Sequence, residues 1–376
     1  MVSVYRGWHQ LESRGSGLPI VDFDVSPIGV PALSFASRIE VLGALEALAG
    51  RLPSEHAFLL ARVKASCATL RVLLGQHIAF PQYLAETLQL PAVPTHSDLV
   101  ESQRAIVRRL LQRNGLDLER QFAADVSKRF EVPYRSDELS AWLRTAAQND
   151  ARRAAQQVAP DVPAEFPCDF TAAAAYWKGW ANAHLGEPTR VTFNTTPRTR
   201  YLTGDAFVLA HHEVAGHALQ MECWRRRIAN GELHPAYGLT VVHGSEQFQY
   251  EGIAQTITDL IYDDAELSDD ILWAREYTRY RSYVYQRAHV EMNEGADVHA
   301  VFRYLQEWLP FEDKTAIEDE LRSRCLDPIL RVYQFVYAAG DAAFLAVLRS
   351  RGKEAFLAVV RRLYAGPETL DRVLAT

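Results

Sequence analysis

The stretch His211-His212-Glu213-Val214-Ala215-Gly216-His217 sets imidazoles and a carboxylate close together in the middle of a 376-residue chain. His212 and His217 are nitrogen donors with Glu213 beside the first, and a second acid follows in Tyr250-Glu251-Gly252-Ile253-Ala254. Two imidazoles and one carboxylate leave a zinc ion one open position, as a hydrolytic site requires and a structural site does not. The flanks carry helix signals: Thr203 or Asp205 can cap the start, and Arg225, Arg226 and Arg227 complement the dipole near Ile228. A helix over about 203–228 therefore carries the histidines, and a second, over about 245–263, brings Glu251 alongside.

The spacing adds a constraint. His212 and His217 are five residues apart, which on a regular helix leaves about 140° between their directions at about 100° per residue. A π-type bulge, whose hydrogen bonds span five residues, puts both on one face, and such bulges occur often at functional sites. Gly216 relieves crowding just before the second ligand. Glu213 then stands off the metal as general base for water attacking a carbonyl. Asp259, two turns beyond Glu251, is placed to orient a ligand imidazole. His211 is the alternative ligand, six residues from His217, although Glu213 would then be out of place.

The rest of the chain reads as helical. Apolar residues recur at helical spacing over 36–50, 55–76, 97–114 and 137–157, punctuated by Pro81, Pro91, Pro94, Pro133, Pro160, Pro163 and Pro167. A long aromatic and basic helix is expected over 269–293, with its tyrosines packed and its Arg and Glu side chains ion-paired. One of its arginines is a candidate for holding a substrate carboxylate. The run Ala172–Ala175 is helix-forming. Thr189–Thr195 is the best strand, between Pro188 and Pro197, and an extended peptide can pair with such a strand at its edge. Residues 238–244 read as a loop leading to the Glu251 helix. The fold class is mainly α with a small β element beside the motif helix, in two lobes of one compact unit, 1–160 and 161–376.

Composition narrows the partners. A net charge of −7 without blocks of like charge leaves no electrostatic footprint for nucleic acid. No stretch reaches membrane-spanning length. Met1–Trp8 lacks the apolar run of a secretory signal. Cys67, Cys168, Cys223 and Cys325 lie far apart and read as reduced thiols of a cytoplasmic protein.

His212–Gln220 resembles the HE-x-x-P-G-H-H-L-Q motif of a helical bacterial zinc metallopeptidase family long catalogued as a domain of unknown function. Glu251-Gly252-Ile253-Ala254 is similar to that family's E-G-W-A, save for the Trp. Arg324, Pro328, Tyr337 and Gly340 resemble its Arg…Pro…Tyr-x-x-Gly tail, and Gly366, Pro367 and Leu370 its Gly-x-Pro-Leu ending. The resemblance covers about 170–376. The family's Pro is missing and the histidines are one residue closer, a spacing similar to the HExxxH of dipeptidyl peptidase III and the microtubule-associated tyrosine carboxypeptidases. These likenesses imply a gluzincin-like helical metallopeptidase with Zn2+ on His212, His217 and Glu251. They also make Tyr337 and Arg324 the first candidates for stabilising the oxyanion, with Tyr333 and His243 in reserve. The expected activity is hydrolysis of amide bonds in peptides or peptide-like small molecules, in the manner of an exopeptidase and carboxypeptidase-like. A zinc-dependent tailoring enzyme of specialised metabolism is the alternative that keeps the metal. A helical binding scaffold is the alternative without it.

Overall fold

Each of the four N-terminal periodic segments folds as a helix, Arg38–Ala49, Ala57–Leu73, Ser97–Arg113 and Ser136–Val158. In the first of them the Ser37 hydroxyl accepts the Glu40 N–H at 3.3 Å, satisfying an otherwise orphaned donor. The computed structural model describes residues 1–27, 29–117, 123–130, 136–173, 177–184, 186–196 and 202–374. It is 67% helix and 6% strand, so the chain is mainly α. No helix among the described residues is long and apolar enough to cross a membrane. All four cysteines are free thiols, two of them buried. Pro133, Pro197, Ala174 and Ala175 lie outside the described residues, whereas Ala172 and Ala173 are irregular rather than helical.

The motif segment is one continuous rod: α-helix at Thr203–Ala210, π-helix at His211–Ala218 and α-helix again at Leu219–Ala229. Its N-cap is Leu202, with no side-chain cap, so the expected capping by Thr203 or Asp205 is not made. The Glu251 helix runs Glu246–Ile261, and the long aromatic helix Asp269–Asn293. A helix at Leu330–Arg351 packs along the Glu251 helix.

The strands are β1 (Val21–Asp24), β2 (Cys168–Thr171), β3 (Gly179–Asn182), β4 (Arg190–Asn194) and β5 (Leu239–Val241). β4 is the strand read from the sequence, but it lies in the middle of its sheet, parallel to β2 and antiparallel to β3. Both its edges are taken, so it has none to offer a peptide. Residues 238–244, expected as a loop, supply β5, which pairs antiparallel with β1. That pairing brings the N-terminal segment to the motif rod.

The main core draws Phe23, Phe80 and Leu143 together with Val191, Val214, Ile253, Val336 and Val360, so it runs across the expected lobe boundary. A second cluster joins Val107 and Val126 to Tyr280, Val284 and Leu305. Residue 160 lies between the end of Ser136–Val158 and the start of β2, with shared packing on both sides.

The long helix behaves as its composition predicts. Tyr280, Tyr283 and Tyr285 are buried, while Arg279 reaches Asp259 at 2.7 Å, and Glu276 and Asp341 at 3.1 Å each. Arg281 pairs with Glu312 and Glu320 at 3.1 and 2.9 Å. Burial raises the Glu276 carboxyl, but the Arg279 and Arg275 guanidiniums and Gln103 outweigh it and bring it down to about 2. Glu320 is likewise held at about 2, by Arg281 and Arg324 against its own burial. Both folded values lie below the ordinary glutamate value of 4.5, so their contribution to stability is complete above that pH and is lost as pH falls toward 2. Chemical denaturation between pH 6 and pH 2.5 will show this loss. E320Q will lower stability at pH 6 and flatten the acid limb of the curve.

Candidate metal centre

The π register does what the five-residue spacing demands. The Nε2 atoms of His212 and His217 stand 3.1 Å apart with their rings at 90°. Glu251 completes the group, its Oε2 lying 3.3 Å from His212 Nε2 and its Oε1 3.5 Å from His217 Nε2. A tetrahedral zinc ion with arms of about 2.0–2.2 Å needs donor–donor edges of about 3.3–3.6 Å, so the closest approaches between the three groups are of the right size. Glu251 Oε2 is buried without a hydrogen-bond partner, and a buried carboxylate oxygen aimed at two imidazoles is what a cation satisfies. The donor set fits zinc.

Close backbone contacts hold the group. A Cβ on Gly216 would stand 2.9 Å from the Cα and Cβ of Ala254, so this glycine lets the π segment touch the Glu251 helix. One turn on, a Cβ on Gly340 would meet Gly252 Cα at 2.8 Å and Phe248 O at 3.0 Å. Gly252 and Gly340 therefore let the Glu251 helix and Leu330–Arg351 cross in contact, which brings two tyrosines to the site. Tyr333 donates its hydroxyl to Glu251 Oε1 at 2.5 Å, and the Tyr337 ring lies 5.6 Å from that of Tyr333 and 6.5 Å from that of His212. The Tyr364 hydroxyl donates to the carbonyls of Ala215 and Gly216 at 2.8 and 3.1 Å, satisfying acceptors inside the π segment.

His211 is not a ligand. Its ring is fully buried, with Nε2 2.7 Å from Asp150 Oδ2 and Nδ1 3.0 Å from Thr258 Oγ1, and it stacks on Tyr262. It ties the motif rod to the Glu251 helix and to Ser136–Val158. Asp259 does not orient an imidazole either, because Arg279 and Arg275 take it. Arg324 is buried away from the cleft, paired with Glu320 and lying over the Tyr285 ring. His243 is also buried apart, its Nε2 2.8 Å from Ser66 Oγ. Burial and the nearby Arg62 push that imidazole down to about 3, so it is neutral. Of the four groups expected to stabilise an oxyanion, Tyr337 and Tyr333 reach the cleft.

Two cavities flank the donors. The nearer, about 300 Å³, is walled by β1, β3 and the motif rod, and includes Asp22, Phe23, Trp180 and Tyr333. The farther, about 540 Å³, includes Lys178, Arg281, Glu312 and Glu320. Trp177, Gly179, His212, Glu213 and Tyr337 line both, so the cleft passes directly over Glu213. Glu213 is buried, and the space for a Cβ on Gly179 lies 3.1 Å from its Cγ. Burial raises its carboxyl above the ordinary range and Glu251 adds to that, while the two imidazoles and the Ala181 N–H draw it back. A base for neutral pH needs such tuning. Asp22, which sequence reasoning missed, accepts from Gln247 Nε2 at 2.8 Å; burial raises its carboxyl to about 6. Nothing local marks Asp22, Asp150 or Tyr364, since each gains its role through a contact made across the fold.

No family model and no curated protein matches this sequence. Among solved structures, a crystal structure from Colwellia psychrerythraea described as a "putative lipoprotein" matches over 98% of this chain and 71% of that one, with a TM-score of 0.61 and 13% identity. At that identity the likeness shows a shared fold.

The glycine contacts predict opposite signs for one type of substitution. G340A forces a methyl group into the Gly252 backbone and will destabilise by about 1–3 kcal/mol, with weaker metal uptake. G43A, at an exposed helical position with nothing within 4 Å, will stabilise by about 0.5–1 kcal/mol. Urea denaturation of both variants, with metal titration of G340A, measures this.

Proposed function

We propose that the protein is a zinc-dependent metallohydrolase that cleaves amide bonds in peptides or peptide-like small molecules. The observation that carries this reading is the convergence of His212, His217 and Glu251 at 3.1–3.5 Å beside the buried, partnerless Glu213 Oε2. The motif resemblance points the same way.

When bound, zinc supplies Lewis acidity toward a carbonyl oxygen and lowers the pKa of water. Glu213 Oε2 takes the proton from water as water attacks the carbonyl carbon, and delivers it to the leaving amine nitrogen. The Ala181 N–H holds this carboxylate in place. Tyr333 fixes Glu251 through its 2.5 Å hydrogen bond. Tyr337, lining both cavities, is the donor placed for negative charge developing on the substrate oxygen.

A cleft whose nearer chamber is about 300 Å³ suits a short segment or chain end, which supports an exopeptidase. The carboxypeptidase form has weaker support. Among the described residues no Lys or Arg lines the nearer cavity; in the farther one Arg281 is engaged by Glu312 and Glu320, and Lys178 lies 3.3 Å from Asp205.

Elemental analysis of purified protein is expected to give one zinc per chain, falling well below that in H212A, H217A and E251A. E213Q will keep the metal and lose at least about 10²–10⁴-fold in kcat on a peptide panel, the usual contribution of a general base. Wild-type protein without stoichiometric zinc, or E213Q with undiminished turnover, overturns the reading.

A further inference from the structure

Asp22 has no part in holding the metal. The donor group comprises His212, His217 and Glu251, and Asp22 lies outside it. One of its oxygens takes the Gln247 amide, and the half-buried side chain faces the nearer cavity. Among the described residues, the charged groups of that cavity apart from the imidazoles are three carboxylates, Asp22, Glu213 and Glu251. A dication on the donors leaves one negative charge unbalanced. Glu251 is spent on the metal and Glu213 on the proton, so the charge that seeks a partner from the substrate is that of Asp22. A charge facing a largely apolar chamber without one is costly.

Position narrows what that partner is. Gln247 and Glu251 are one turn apart on the same helix, with about 5–6 Å between Cβ atoms at this spacing. The Gln247 amide thereby ties Asp22 to the helix that carries Glu251, and both carboxylates line the same chamber of about 300 Å³. For an ammonium on Asp22, at about 2.8 Å for a charge-assisted hydrogen bond, the carbonyl that best shares so small a chamber with the metal donors is that of the same residue. An α-amino nitrogen is two bonds from its own carbonyl carbon; a lysine side-chain nitrogen is six. Phe23 and Trp180 stand in the same chamber and offer apolar rings to the first side chain, and Phe23 lies 6.2 Å from the His217 ring.

We propose that Asp22 captures the free α-amino group of the substrate, so that the bond cut is the amide directly following an N-terminal, apolar residue. This inference rests on the metallohydrolase reading and assigns it an aminopeptidase polarity. The leaving portion occupies the farther cavity, where Lys178, Arg281, Asp205 and Glu312 present both signs of charge.

Phenylalanine hydroxamate and N-acetyl-phenylalanine hydroxamate test this as zinc-directed probes that differ at the amine. Calorimetry on zinc-loaded wild-type protein is expected to give at least tenfold tighter binding of the free-amine probe. In D22N and D22A, with zinc content checked, the preference will shrink to less than about twofold; in D22E it will be partly restored. Phenylalanyl peptides will show the same pattern as a rise in KM for D22N, with kcat changed less. Equal or tighter binding of the acetylated probe by wild type overturns the inference, as does a preference that survives in D22N. In either case stoichiometric zinc and the loss of turnover in E213Q leave the metallohydrolase reading standing. Wild-type protein that takes up no zinc removes that reading and this inference with it.

Discussion

The change of hydrogen-bond register at His211–Ala218 is the constraint on which the site depends. A helix that kept its i→i−4 bonds would hold His212 and His217 on different faces, and Glu251 would meet one imidazole only. Widening the turn loosens backbone hydrogen bonding inside a buried rod, which is unfavourable unless the freed groups find partners. The protein supplies them from elsewhere: Tyr364 bonds the carbonyls of Ala215 and Gly216, and His211 is locked between Asp150 and Thr258. The π segment is thus braced from the last third of the given sequence and from Ser136–Val158 together.

Small residues then set distance. Gly216 against Ala254 and Gly252 against Gly340 bring three helices into backbone contact, closer than Leu or Ile at those positions allows. This is why Glu251 reaches both imidazoles, and why Tyr333 reaches Glu251. The Gly in the motif and the Gly after Glu251 serve packing, while the residues beside them serve chemistry. The charged network on Asp269–Asn293 has a different role. It secures the far side of the Glu251 helix through Asp259, the residue that at first sight belonged to the metal site.

Much of this was legible in the chain. Helical periodicity placed the main helices to within a few residues, and the five-residue histidine spacing called for the π turn. The residues that were misplaced or missed share a cause. Arg324 was singled out by motif likeness, His243 by its place in the 238–244 loop and Asp259 by spacing along one helix, but their side chains turn to Glu320, to Ser66 and to Arg275 and Arg279. Asp22, Asp150 and Tyr364 have no local signature, because their partners lie in distant segments. The loop expected at 238–244 became β5 because β1, more than 200 positions earlier, came to pair with it; single-strand propensity carries no trace of such a partner.

The β1–β5 pairing has a consequence for how the molecule comes into being. Asp22 and Phe23 leave the ribosome more than 200 residues before Leu239–Val241, and the cleft wall they form closes only once that strand has been made. The tyrosines facing it, Tyr333 and Tyr337, emerge later still. A nascent chain therefore carries its histidines without the full cleft wall from the making of His217 until that of Tyr337. Closing contacts of such high sequence separation is slow, so the complete cleft forms only after Tyr333 and Tyr337 have joined β1 and β5.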